Sequence, residues 1–129
     1  MQITTAPLID QTALAAARRQ LGGNFGPVFG YLADAGPQLI AAIEAGLRDH
    51  DAALMARPAH RLRGEILPFG GLRLAHVAAQ IESGARLSLE LRLPPDDLIE
   101  HVVVLRPLFS ETITAIKAEV LAQRFAWAA

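Results

Sequence analysis

Residues 60–74 run His60-Arg61-Leu62-Arg63-Gly64-Glu65-Ile66-Leu67-Pro68-Phe69-Gly70-Gly71-Leu72-Arg73-Leu74, and the reading of this stretch decides the fold. With side chains about 100° apart around a helix axis, Met55, Ala59, Leu62, Ile66 and Phe69 fall on one side and His60 on the other. A histidine set against an apolar stripe in this way faces solvent. Further along, Leu74, Val77 and Ile81 cluster about 80° round from the first stripe. A heptad drift of ~20° per repeat explains only part of that shift. The pattern therefore predicts one helix from Asp51, which caps it, to Ser83-Gly84, bent near Pro68 and Gly70-Gly71. Pro58 leaves a second arrangement open, in which a short helix begins at Asp51 and Pro58 opens the one that bears His60.

Working outward, Asp10 can cap a short helix over Gln11 to Leu21, which Gly22-Gly23 ends. Asn24 and Pro27 suit the start of a second helix, and Val28, Leu32, Leu39, Ile40, Ile43 and Leu47 recur at helical spacing up to His50. Gly36-Pro37 predicts a kink in it, or two helices meeting end to end. Beyond residue 84, Leu87, Leu89, Leu91 and Leu93 alternate with Ser88, Glu90 and Arg92, the period of a strand. No second strand pattern exists to pair with it, so an extended connection or a further helical stretch is expected, with no β-ladder. Pro94-Pro95-Asp96-Asp97 then opens a last helix toward Phe125, kinked at Pro107.

The expected architecture is all-α: an antiparallel up-down four-helix bundle with a short extra N-terminal helix and helices kinked at prolines. Composition agrees, since 52% of the 129 residues are apolar and only 5% aromatic, with Ala and Leu dominant, which suits helices packed through aliphatic seams. Nothing divides the chain, so residues 1–129 are read as a single domain. The absence of cysteine rules out disulfides and thiolate metal sites. A formal net charge of −1, with arginines interspersed among acids, argues against a nucleic-acid backbone binder. Residues Met1 to Pro7 lack the pattern of a secretory leader, and no run approaches the roughly 20 apolar residues of a membrane span. A cytoplasmic protein with no membrane association is the expectation.

The chemistry centres on His60. An imidazole nitrogen is a competent phosphoryl acceptor near neutral pH, and its N–P bond keeps a high transfer potential. Arg63 and Gly64, three and four residues on, share its helix face. The guanidinium suits phosphoryl oxygens, and the missing side chain at Gly64 lets a partner approach. Leu67 and Gly71 extend the face as a small apolar patch, while Arg57 and Arg61 give it a basic fringe. Each residue also has a plainer reading. The arginines alone would be a solvated face, and the glycines a device for close helix packing. His50, His76 and His101 lack such surroundings and are read as structural or solvated.

The spacing as a whole resembles that of the histidine phosphotransfer (HPt) family. The family places leucine two residues after the histidine, a basic residue at three, glycines at four and ten, leucine at fourteen, a small residue at eighteen, and an aliphatic-Glu pair at the close. Here these are Leu62, Arg63, Gly64, Gly70, Leu74, Ala78 and Ile81-Glu82, and the resemblance covers about residues 8–84. Glu65, Ile66 and Pro68 depart from it, standing where the family has small or polar residues. The resemblance implies a phosphorelay carrier. His60 accepts and donates the phosphoryl group, Arg63 stabilises it, and Arg57, Arg61, Gly64, Leu67 and Gly71 meet the partner. It also implies response regulator receiver domains and a hybrid sensor histidine kinase as partners. The chain itself would bind no cofactor or metal, the Mg²⁺ ion coming with the receiver, and would act as a monomer without autokinase activity. The alternative is a non-catalytic helical interaction module on the same scaffold.

Overall fold

The computed structural model describes residues 4–128, with side chains as far as residue 122, so residues 1–3 of the stretch examined for a leader lie outside it. Helix α1 spans Gln11–Leu21, and the Asp10 carboxylate accepts the Ala13 N–H at 3.1 Å as the sequence suggests. Gly22, at φ +53°, ends it, and a 3-10 turn over Gly22–Asn24 leads into α2, Phe25–Arg48. Helix α2 is one element, not two, because the chain stays helical through Pro37. The adjoining Gly36 has a packing role, since a Cβ there would overlap the ring of Phe109.

Asp51 accepts the Ala53 N–H at 3.0 Å and starts α3, Ala53–Ile66, which continues past Pro58 without a break. The expectation of a single bent helix from Asp51 to Ser83-Gly84 is wrong. After Ile66 the chain makes a 3-10 turn over Leu67–Phe69, and Gly70 takes the left-handed conformation at φ +88°. The chain reverses there and returns as α4, Leu72–Leu91, packed antiparallel along α3. The reversal closes on itself through bonds from Gly70 N–H to the Leu67 carbonyl (3.0 Å) and from Gly71 N–H to the Ile66 carbonyl (3.2 Å). The shift in the apolar stripe thus marks a change of helix. Gly84 does not end α4 but lets Leu98 pack against it. Of the two alternatives for Leu87 to Leu93, the helical one holds as far as Leu91, and among the described residues there is no strand.

A 3-10 turn, Asp96–Leu98, precedes α5, Ile99–Val103, and α6, Leu105–Ala128. The interruption expected at Pro107 falls earlier, at Val104, which leaves Pro107 in the first turn of α6, where a missing N–H removes no helical bond. Helices α2, α3, α4 and α6 form the antiparallel bundle, and α1 lies against the Leu67–Phe69 turn. One continuous core joins them, with Ile40, Ile43, Met55, Leu62, Ile66, Leu74, Ile81, Leu105 and Ile116 all fully enclosed. Phe25, Phe29 and Phe69 make an aromatic cluster, with ring centroids 5.4–5.7 Å apart, that secures the turn to α2. Arg106 clamps Glu44, its Nη2 2.8 Å from Oε1, and so ties α6 to α2. Among the described residues no helix is long and apolar enough to cross a membrane.

Two predictions follow from the ends of the bundle. A Cβ on Gly70 would lie 2.6 Å from the Asp10 carbonyl oxygen, in a backbone conformation that side chains disfavour by about 1–2 kcal/mol. Gly70→Ala therefore lowers unfolding free energy by at least that amount, measurable by urea titration. At the other end, His50 Nδ1 lies 2.7 Å from Asp96 Oδ1, bridging the α2–α3 and α4–α5 connections. The hydrogen bond and charge of Asp96 raise the His50 pKa above its ordinary value. Its contribution to stability is fully present below the unfolded-state pKa and is lost as pH rises through the raised folded value. The melting temperature of Asp96→Asn should fall below the parent's at about pH 6 and converge with it toward about pH 9. A gap independent of pH would show that the pair contributes nothing through protonation.

Candidate functional site

The face of α3 that turns from the core carries Arg57, His60, Arg61 and Gly64 in succession. The His60 side chain is 58% exposed. Its Nδ1 lies 3.0 Å from Glu82 Oε2 and 3.1 Å from Oε1, so the α3–α4 hairpin brings together two residues far apart in sequence. Glu82 is itself buried and belongs to a wider network. Arg86, one turn on, donates to Glu82 Oε2 through Nε at 3.1 Å and Nη2 at 2.9 Å, and Arg63 Nη2 stands 3.6 Å from Oε1.

Burial pushes the Glu82 carboxyl up, but the hydrogen bonds from Arg86 and His60 and the charges of His60 and Arg63 outweigh it. The net effect holds the group below its ordinary value, as a carboxylate. A carboxylate only accepts, so Nδ1 must carry the ring proton and donate it to Glu82. Arg63 Nη2, 3.2 Å from the same Nδ1, cannot donate to a nitrogen that already bears hydrogen, and its productive contact is with Glu82. This assignment puts the lone pair of the neutral ring on Nε2, in a side chain that is more than half exposed. The arrangement therefore offers a nucleophilic nitrogen with an oriented ring and a guanidinium alongside.

The remaining residues singled out from the sequence divide. Gly64 is exposed, and a Cβ there would meet nothing within 4 Å, as an approach surface requires. Leu67 is exposed at the turn, and Arg57 is exposed with no ion-pair partner among the described residues. Arg61 leans along the helix to Glu65, with Nε to Oε1 at 3.0 Å, and Tyr31 of α2 beside it. Gly71 does not belong to this face. The reversal turns it inward, where a Cβ would strike the Ile66 side chain and lie 3.1 Å from Thr112 Cγ2. Gly71 is a packing glycine, and the apolar patch assigned to it and Leu67 consists of Leu67 alone. The sequence reading missed the roles of Glu82 and Arg86. The signal was present in the Ile81-Glu82 pair that closes the family spacing, but its meaning depends on the hairpin.

The other histidines sit elsewhere. His76 contacts Thr4 Oγ1 at 3.3 Å, and His101 is buried, with no hydrogen-bond partner for either ring nitrogen among the described residues. Among the described residues no group of three or more acidic or histidine side chains is placed to hold a metal.

The backbone arrangement around this site recurs in solved structures. A histidine-containing phosphotransfer protein B from Pseudomonas aeruginosa PAO1 superposes with a TM-score of 0.76 at 19% identity, over 89% of this chain and 96% of its own. The chain has the histidine phosphotransfer fold. The phosphotransfer domain of a sensor hybrid histidine kinase from Shewanella shares that fold, with a TM-score of 0.66 at 20% identity over 90% and 95% of the two chains. No family model matches the sequence, and no curated protein does.

The exposed Gly64 and the enclosed Gly71 of this phosphotransfer fold should respond to alanine in opposite ways. Gly64→Ala should stabilise the protein by about 0.5–1 kcal/mol, because alanine restores helix propensity at a vacant position. Gly71→Ala should destabilise it by about 1–3 kcal/mol through overpacking against Ile66. Thermal melts of the two variants side by side test both, and like-signed shifts would refute the assignment of faces.

Proposed function

We propose that this protein is a phosphorelay carrier that takes a phosphoryl group on His60 Nε2 from a receiver aspartate and delivers it to the aspartate of another receiver. One observation carries the reading: His60 is exposed, with Nδ1 tied to a buried carboxylate and Nε2 left free on a face where Gly64 clears the way. In the accepting step the Nε2 lone pair attacks phosphorus, the N–P bond forms, and the aspartyl O–P bond breaks with its electrons retained by the carboxylate. The ring keeps its Nδ1 proton and becomes cationic, and the Glu82 carboxylate stabilises it. Arg63 supports the phosphoryl oxygens. Delivery reverses these steps on the second receiver. Transfer of this kind is mainly positioning, and the Mg²⁺ ion belongs to the receiver.

Arg57, Arg61, Gly64 and Leu67 form the docking surface in this reading. A receiver's phosphorylation pocket is acidic, so the exposed Arg57, which has no ion-pair partner among the described residues, steers its approach. The partners are response regulator receivers and a hybrid sensor histidine kinase, met by a monomer in the cytoplasm, and no autokinase activity is expected. The resemblance of the His60-to-Glu82 spacing to the phosphotransfer family and the shared fold both support the proposal.

The test uses two variants and two phosphodonors. His60→Gln should keep its melting temperature and lose all labelling, from phosphoramidate and from a phosphorylated receiver alike. Gly64→Gln should fold at least as well as the parent and still be labelled by phosphoramidate, while exchange with receivers falls by orders of magnitude. Labelling that survives in His60→Gln defeats the proposal, and undiminished receiver exchange in Gly64→Gln removes the docking face from it.

A further inference from the structure

Helical spacing alone would count Arg86 and Glu82 as one more i,i+4 surface pair. The geometry is more specific than that. Both Nε and Nη2 of Arg86 converge on a single oxygen of a side chain that is only 10% exposed, while that of the arginine is 59% exposed. That oxygen, Oε2, also receives His60 Nδ1. The charged groups facing Glu82 are His60 and Arg63 from α3 and Arg86 from its own helix, and Arg86 is the cation closest to it.

A buried carboxyl that lacks a close cation tends to bind a proton. Once protonated it becomes a donor as well as an acceptor, and it can give its hydrogen to Nδ1. The imidazole proton then sits on Nε2, and the lone pair not engaged by Glu82 is lost. We infer that Arg86 is a positioning residue for phosphoryl acceptance, holding Glu82 as a fixed carboxylate so that the His60 proton stays on Nδ1. The inference rests on the carrier role proposed for His60 and adds to it a residue that need not touch the phosphoryl group.

Arg86→Met removes the charge and keeps an apolar stem, whereas Arg86→Lys keeps the charge. The exposed position should let both fold, and thermal melting checks that they do. Long-range ¹H–¹⁵N spectra of the His60 ring, recorded from about pH 5 to about pH 8, report which nitrogen of the neutral ring carries hydrogen. The parent and Arg86→Lys should show the Nδ1–H form, and Arg86→Met a mixture in which the other tautomer grows toward the acid end. Phosphoramidate labelling should follow, with Arg86→Met about tenfold slower at the acid end, the loss expected when a charge-assisted hydrogen bond is removed, and the gap narrowing as pH rises. In a Glu82→Gln background the amide has no proton to gain, and Arg86→Met should leave the pH profile unchanged. An unaltered tautomer in Arg86→Met overturns the inference, as does a uniform loss of rate that persists with Glu82→Gln. The tautomer measurement involves no phosphoryl chemistry, so failure of the parent to be labelled would count against the carrier role and not against this assignment.

Discussion

Everything at the site depends on the close packing of α3 against α4, and that packing depends on how the chain turns between them. Gly70 enters a left-handed conformation that side chains disfavour, and Gly71 gives up its side chain so that Ile66 and Thr112 can close over it. The two helices then lie near enough for Leu62, Ile66, Leu74 and Ile81 to exclude water completely. Glu82 comes to rest beneath His60 as a result of that apolar contact. The polar pair contributes little to holding the helices together, because one partner is more than half exposed. Burial of hydrocarbon sets the distance, and the hydrogen bond makes use of it.

What was legible in the sequence was what short-range physics determines. The Asp10 cap, the outward direction of His60 and the openness at Gly64 each follow from residues within a turn or two. The reversal at residues 67–71 was not legible, since proline followed by two glycines is compatible with a bend or a full turn. Only the fit of one apolar stripe against another selects the turn. Gly71 was misplaced for the same reason, because helical angles carried past Phe69 describe a helix that no longer exists. The roles of Glu82 and Arg86 lay hidden in the same way. The alternating leucines after residue 86 misled less: Leu87, Leu89 and Leu91 lie on the last turns of α4 and Leu93 just beyond it, and all four side chains are about half exposed.

The charges around His60 are not evenly matched. Arg63 and Arg86 share one carboxylate, and Arg57 has no ion-pair partner among the described residues. A surplus of positive charge therefore lies beside an exposed nitrogen, in a protein whose formal net charge is −1. A local field of that sign attracts anions, and phosphoryl oxygens among them, without making the whole surface basic.

The construction of the site from two helices also fixes a length. His60 and Glu82 are 22 residues apart, and each is held at its own rotational setting by the packing of its helix. One residue inserted within α3 between His60 and Ile66 would turn the histidine by about 100° relative to the side chains below it. Depending on the hand of that rotation, the ring would leave Glu82 for solvent or press into the core. A point substitution along this hairpin leaves that interval intact, whatever it costs in stability, but a change in residue count does not. Among divergent chains of this fold, the interval between the two positions should therefore persist after most of the residues within it have changed.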